Sequence, residues 1–342
     1  MLAKFMTILS SDRNALLALV ERFPQQHLMM LGDLVADESL YGEIVRVSRE
    51  APVLILKQRE KQILPGGGAN AAANLAALGA QVTPVGVVGR DESGEGLIAC
   101  FRERNISTRH IVRLAGYLTP TKTRVLGGLS HWQRQQIVRI DREPAQPLDA
   151  KVRAGLTRTA AALLASSTGL LVADYGYSST NAREIDSLRE RAARRSLPIT
   201  IDSRYDLLTY KNLTAATPNE PEVEAAFGQS IGHDLDKLHT LGRKFLHRQG
   251  LQALLITRGR DGMALFEPRR PPRHIPIFGS DHAVDVTGAG DTVIAAFTLA
   301  LAAGADFLQA ATIANFAGGI VVMKRGTATV SLDEITEAIR NS

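Results

Sequence analysis

The chain has 342 residues, 45% of them apolar and 22% charged, with a formal net charge of +5. That composition supports a large buried core, and the basic residues are scattered without the long block that would track a nucleic-acid backbone. Cys100 is the single cysteine, which excludes an intramolecular disulfide and a cysteine metal cluster, and no apolar run is long enough to span a bilayer.

Residues 1–23 carry a short apolar core flanked by charges and lack a small-residue cleavage site. They read as an amphipathic helix and not as a signal peptide, so the expected compartment is cytoplasmic. The expected division is an N-terminal helical extension over 1–26 and one domain over 27–342. Residues 27–31 form a buried strand that ends at Gly32-Asp33, and Val53-Leu54-Ile55-Leu56 reads as another. Residues 69–78, dense in small side chains, read as a helix. Cys100, in an apolar stretch, reads as a small buried hydrophobe. Two more strands are expected at 121–126 and 136–140, joined through Gly127-Gly128-Leu129-Ser130-His131-Trp132. These strands imply a small β lid, built from about 39–64 and 118–141, whose apolar side needs a partner.

From about residue 151 the pattern changes to alternating strands and helices. Strands are expected at 170–173, 199–201, 213–217 and 253–257, with helices over 180–195, 220–227 and 234–249. This alternation predicts an α/β fold with a mainly parallel sheet and helices on both faces. Ligands bind such sheets beyond the carboxyl ends of the strands, where Asp174, Asp202, Asn219 and Thr257 fall.

The run Asp285-Val286-Thr287-Gly288-Ala289-Gly290-Asp291 precedes an apolar helix expected over 292–303. First-turn N–H groups lack intrahelical acceptors and the helix dipole adds positive character, so Gly288, Ala289 and Gly290 can form an anion hole. Asp291, beside that hole, can take the proton of an attacking hydroxyl. Asp285 and Thr287 are suited to fixing the loop through side-chain to backbone hydrogen bonds.

Those residues resemble the C-terminal signature of the ribokinase-like (pfkB) carbohydrate kinases. Pro65-Gly66-Gly67-Gly68-Ala69-Asn70, followed by Asn74, resembles their N-terminal signature, and the likeness runs in order over roughly 27–340. It implies a ribokinase-like three-layer sandwich with a small β-sheet lid, ATP and Mg²⁺ as cofactors, a sugar or sugar phosphate as acceptor, and a homodimer formed through the lid. No nucleic acid or membrane partner is expected. By position, Asp291 is the implied catalytic base. Asp33, Asp37, Gly66, Gly67, Asn70, Arg124 and Asp174 are implied on the acceptor side. Asn219, Thr257, Gly259, Gly262 and Asn315 are implied on the ATP side. Asn219 and Glu222 match an Asn-x-x-Glu motif that organises Mg²⁺ through water. A helix cap followed by a first-turn acid accounts for the same pair. Asp285, Thr287 and the turn Lys324-Arg325-Gly326-Thr327 resemble the monovalent-cation loop of some members, which leaves K⁺ as an optional further ion.

Within the family, Gly32-Asp33-Leu34-Val35-Ala36-Asp37, Gln135-Gln136-Ile137-Val138-Arg139-Ile140-Asp141 and Ala173-Asp174-Tyr175-Gly176 resemble bacterial D-glycero-β-D-manno-heptose 7-phosphate kinases. The resemblance implies phosphorylation of the anomeric hydroxyl, giving the 1,7-bisphosphate used for surface polysaccharide precursors. Such a substrate needs cations at its distal end, for which Arg46, Lys57, Lys122 and Arg124 are candidates. Three departures stand near the site: Glu38 in place of a frequent arginine, Leu40 in place of an aromatic, and Asp202-Ser203-Arg204 in place of Asp-Pro-Lys. With its last residue at Ser342, the chain reads as a stand-alone kinase without a nucleotidyltransferase domain. Two other readings stay open: a kinase of the same type for ribose, fructose or an adenosine-like nucleoside, and a catalytically silent nucleotide- or sugar-binding regulator.

Overall fold

A computed structural model describes residues 13–128, 135–280 and 282–342. Helix α1 (residues 13–20) places Leu16, Leu19 and Val20 in the main core beside Phe23, so this segment packs into the domain. Residues 1–12, part of the expected extension, and the connection at 129–132 lie outside the described residues.

Strand β1 (His27–Gly32) is buried almost throughout, as its unbroken apolar run requires of a strand covered on both faces. The chain then leaves the main sheet. Strands β2 (Leu34–Val47) and β3 (Leu54–Gly67) are a long antiparallel pair whose inner ends are buried and whose outer ends reach into solvent. Helix α2 (Gly68–Ala77), strand β4 (Gln81–Gly89), helix α3 (Glu92–Glu103) and strand β5 (Ile111–Leu114) follow. Strands β6 (Thr121–Gly128) and β7 (Gln135–Arg142) complete the lid, in the order β3-β2-β6-β7.

The remaining elements alternate. They are α4 (Ala150–Leu163), β8 (Gly169–Asp174), α5 (Ala182–Ala193), β9 (Ile199–Ser203), β10 (Ala215–Ala216), α6 (Glu220–Phe227), α7 (Leu235–Gln249) and β11 (Ala253–Thr257). An antiparallel pair, β12 (Met263–Phe266) and β13 (Arg273–Ile275), precedes helices α8 (Ala289–Ala302), α9 (Phe307–Val321) and α10 (Leu332–Arg340). The strand expected over 213–217 shortens to two paired residues.

The main sheet runs β13-β12-β11-β10-β9-β8-β1-β4-β5, parallel from β11 to β5. One apolar cluster, with α2, α8, α9 and α10, covers one face. A second, with α4, α5 and α7, covers the other, which gives the expected three-layer α/β sandwich with a small second sheet. Because β1, β8, β9, β10 and β11 all run the same way, Asp33, Asp174, Asp202, Asn219 and Thr257 gather at one edge. The lid strands leave β1 at that edge and stand over it. Among the described residues no helix is long and apolar enough to cross a membrane.

Candidate active site

Helix α8 is apolar all round and buried along most of its length between the sheet and α9. It begins at Ala289, three residues earlier than the sequence suggests, so Ala289, Gly290 and Asp291 form its first turn. The early start follows from Gly288, which caps the helix with φ 77, a left-handed conformation open to glycine. A Cβ there would stand 2.5 Å from Asn70 Nδ2. The dipole and the first-turn N–H groups of α8 therefore point at whatever anion occupies the cleft.

Asp291 is almost fully buried. Its Oδ2 accepts from Asn70 Nδ2 at 2.8 Å and its Oδ1 accepts from the Tyr175 hydroxyl. The same hydroxyl lies 3.2 Å from Asp202 Oδ2. Burial, and after it the charge of Asp202, pushes Asp291 up to about 7, against the two hydrogen bonds that lower it. Burial, and after it Glu222, pushes Asp202 up to about 7 as well. Two carboxyls so placed titrate as a pair near neutrality, where a general base is effective.

A cavity of about 460 Å³ opens in front of Asp291. The main sheet contributes Tyr175, Asp202 and Arg204 to its wall, and the lid contributes Asp37, Lys122, Arg124 and Arg139. Strand alternation explains the lid set, since Lys122 and Arg124 share one face of β6 and Arg139 faces Arg124 directly across the β6–β7 ladder. Arg124 donates to Asp37 at 2.7 Å, and Arg139 is held by Asp141 through two hydrogen bonds. Burial, and after it the nearby Arg204, lowers the pKa of Lys122.

A second, mostly apolar cavity of about 180 Å³ lies between α8, α9 and the loop after β11. The two spaces share Thr257, Val286, Ala289 and Gly290, so they form one cleft with the α8 N-terminus at its waist. Gly259, Gly262 and Asn315 line the apolar half, and Asn315 donates to the Pro276 carbonyl at 2.8 Å. The slot opens toward Gly290, where a Cβ would meet nothing within 4 Å. Asn219 and Glu222 form a reciprocal capping box at the start of α6, and both line the polar half. Among the described residues there is no group of three or more acidic, histidine or cysteine side chains that could hold a metal. Asn219 and Glu222 offer hard oxygen donors on the cavity wall, a set that suits an ion that keeps several of its waters, as Mg²⁺ does. Asp285 accepts from the N–H groups of Thr287 and Gly326, each at 2.9 Å, and so ties together the two loops expected to hold a monovalent cation. Burial pushes its carboxyl up, but these hydrogen bonds outweigh that and hold it below the usual range.

Several predicted residues stand behind the cavity wall and make contacts within the protein. The Asp33 carboxylate accepts from the N–H groups of Tyr175, Tyr177 and Ser179 at 2.8–3.0 Å. The Asp174 carboxylate accepts from Ser203, Tyr210 and the Gly176 N–H. Neither lines the cavity. Their oxygens accept from protein donors and so order the loop that carries Tyr175. Asn70 likewise reaches Asp291, and Gly66 packs beside the Asp37 carboxylate. Arg46 and Lys57 lie out along the lid and do not line the cavity, whereas Lys122 and Arg124 do. Cys100 is buried, as expected. Asp202, expected at the ligand-binding edge, lines the cavity, whereas Tyr175, Arg139 and Arg204 carry no site role in the sequence analysis. Tyr175 and Arg139 stand inside recognised motifs, and Arg204 is visible in the sequence only as a departure from one.

A sequence model of the pfkB family of carbohydrate kinases matches residues 25–335. The bifunctional protein HldE of Pelobacter propionicus is 37% identical over 329 residues, covering 96% of this chain and 66% of that protein. HldE of Azotobacter vinelandii is 37% identical over 320 residues, covering 93% and 65%. The chain thus spans just under two thirds of the length of these curated relatives. Among solved structures, phosphofructokinase-2 from Escherichia coli in complex with potassium matches with a TM-score of 0.73 at 16% identity, over 92% of this chain and 98% of that one. Arabidopsis thaliana ribokinase complexed with ribose and ATP matches with a TM-score of 0.69 at 20% identity, over 93% and 99%. At those identities the structural likeness carries the ribokinase-like fold alone.

Proposed function

The chain belongs to the pfkB family of carbohydrate kinases and is an ATP-dependent carbohydrate kinase, and from that premise we propose that its acceptor is a phosphorylated sugar. The acceptor is best read as D-glycero-β-D-manno-heptose 7-phosphate, phosphorylated at the anomeric hydroxyl. The observation that carries this reading is the set of basic side chains Lys122, Arg124, Arg139 and Arg204 around the polar cavity. Like charges directly opposite on a ladder destabilise a sheet, so Arg124 facing Arg139 gains most from an anion bound between them. An unphosphorylated sugar offers none. The heptose assignment adds the motif likeness and a similarity to HldE that runs over 93–96% of this chain. Two of the three sequence departures leave the cavity alone. Glu38 is paired with Lys61 at 3.2 Å and neither it nor Leu40 lines the cavity. In the third, Arg204 keeps a positive charge on the cavity wall.

In this reading Asp291 takes the proton of the acceptor hydroxyl while Tyr175 and Asn70 hold its carboxylate in place. The first turn of α8 stabilises the negative charge that develops beside it. Thr257, Gly259, Gly262 and Asn315 would hold the nucleotide, and Asn219 and Glu222 would orient Mg²⁺ through water. When bound, ATP supplies the phosphoryl group and Mg²⁺ offsets its charge. The loop tied by Asp285 and Thr287 is where K⁺ would act.

ADP release across heptose 7-phosphate, fructose 6-phosphate, fructose, ribose and adenosine tests the acceptor, with NMR of the product locating the new phosphate. Preference for an unphosphorylated sugar or nucleoside overturns the reading, and preference for fructose 6-phosphate overturns the heptose part of it. Removing one charge-assisted contact costs about 1.5–3 kcal/mol, so Arg139→Ala is expected to raise KM for the sugar phosphate on the order of 10- to 100-fold. KM for ATP should stay within about twofold. The lid dimer belongs to the same proposal: Val138 and Ile140, 46% and 51% exposed on the face opposite Arg139, are the apolar surface that a second copy would cover. Ile140→Asp is expected to shift the species seen in sedimentation from dimer to monomer.

A further inference from the structure

Tyr175 follows β8, and its surroundings fix it on three sides. Its N–H donates to Asp33, a Cβ at Gly67 would meet the ring at 3.3 Å, and Lys122 Nζ stands 5.4 Å from the ring centroid. The hydroxyl held in this way touches Asp291 at one side and Asp202 at the other. A tyrosine has one hydrogen to donate, and here it stands between two carboxyls from separate elements. A single buried carboxylate could be oriented by Asn70 alone, so a second carboxyl beyond the phenol calls for a role of its own. Resting on the reading of Asp291 as general base, we propose that Tyr175 is a proton relay that passes the acceptor's proton from Asp291 to Asp202.

The transfer balances. Before reaction the Tyr175 O–H donates to the Asp291 carboxylate. Once Asp291 has become a carboxylic acid, its O–H donates to the phenol oxygen and the Tyr175 hydrogen turns to Asp202 Oδ2. Moving both hydrogens one step breaks an Asp291 O–H and a Tyr175 O–H bond, and forms a Tyr175 O–H and an Asp202 O–H bond. Tyr175 is neutral before and after, as suits a phenol whose burial and acidic neighbours hold its pKa far above the ordinary value. Asp291 is a carboxylate again, ready for the next acceptor, and Asp202, on the cavity wall, can return the proton to water as products leave. The charges that bear on the pair come from Asp37 on β2, Lys122 on β6, Asp174 at the end of β8, Arg204 after β9 and Glu222 on α6.

The test uses the full-length enzyme with ATP and heptose 7-phosphate, with fructose 6-phosphate in parallel. Tyr175→Phe keeps the ring and removes the oxygen, and Asp202→Asn removes the terminal acceptor. Each is expected to lower the steady-state kcat about tenfold or more, because Asp291 is left protonated between turnovers. The acid limb of kcat/KM should move in opposite directions. It should rise in Tyr175→Phe, which loses a hydrogen bond to the Asp291 carboxylate, and fall in Asp202→Asn, which loses a repelling charge. A merely structural role lowers the rates of both variants and leaves the limb in place. That result, or a Tyr175→Phe rate within twofold of the parent, overturns the relay. Asp291→Asn separates the two ideas: if it too keeps full turnover, the general-base reading has failed, and if it alone is inactive, only the relay has failed. Should Tyr175→Phe not fold, kcat of Asp202→Asn decides: a loss of about tenfold supports the relay and a value within twofold of the parent overturns it.

Discussion

Replacing Asp291 with asparagine is expected to lower kcat by a factor of about 10²–10⁴, the range for loss of a positioned general base. ATP binding should be retained, because the apolar slot and the Asn219–Glu222 cap are untouched. The substitution keeps the volume of a buried side chain and removes only its ability to accept the acceptor's proton. Calorimetric titration with ATP and single-turnover phosphoryl transfer measure the two properties separately. Turnover within tenfold of the parent would overturn the role given to Asp291. The same variant carries a stability signature. Asp291 is raised from 3.8 to about 7 in the folded protein, so between those pH values the folded state binds a proton that the unfolded state has released. This contribution to stability is fully present below pH 3.8 and is lost as pH rises through about 7. Asparagine has no charge to bury, so Asp291→Asn should melt higher than the parent at pH 8 and gain little at pH 4. A site that costs stability in its working state is what function, and not packing, would select.

The part of this site legible in the sequence is the part built from neighbours in the chain. Gly288 and Gly290 announce a tight turn into a helix, and Asp291 follows them directly, so both the anion hole and the base lie within one heptapeptide. Asn219 and Glu222 stand three apart, the spacing of a capping box, and the structure forms that box on the wall of the cleft. Other features depend on tertiary placement. That Tyr175 bridges Asp202 and Asp291 follows from β8, β9 and α8 converging, which no local pattern records. The loop after β8 folds back over Asp33 and offers it three N–H groups, an arrangement set by tertiary placement. Arg139 became significant only once the ladder set it opposite Arg124 and on the inner face. At the level of the fold, residues 81–114 hold β4, α3 and β5, which no clear periodicity in the sequence announces. Pro84 and Gly86 interrupt the apolar run of β4, and both residues are disfavoured inside strands. The start of α8 at Ala289 is hidden in the sequence for a related reason: glycine is a poor helix former, so Gly290 resembles a loop residue although the first turn accommodates it.

That tolerance leads to a substitution expected to separate stability from activity. At Gly290 an alanine Cβ meets nothing within 4 Å, and the position lies inside α8 without a positive φ. Alanine is the better helix former by up to about 1 kcal/mol, so Gly290→Ala should melt at or above the parent's temperature. Yet that open space is the waist shared by the two halves of the cleft. A methyl group there holds a phosphoryl group away from the first-turn N–H donors, and loss of one such donor costs on the order of 10²–10³ in kcat. Gly288→Ala is the contrasting case. There the left-handed φ and the 2.5 Å approach to Asn70 predict a loss of stability together with activity, because the residue that braces Asp291 must move. Differential scanning calorimetry and steady-state kinetics on the two variants read both effects. If Gly290→Ala kept full activity, the anion would have to bind elsewhere than against the start of α8. If instead it unfolded, the open space at Gly290 would be serving the fold and not the ligand.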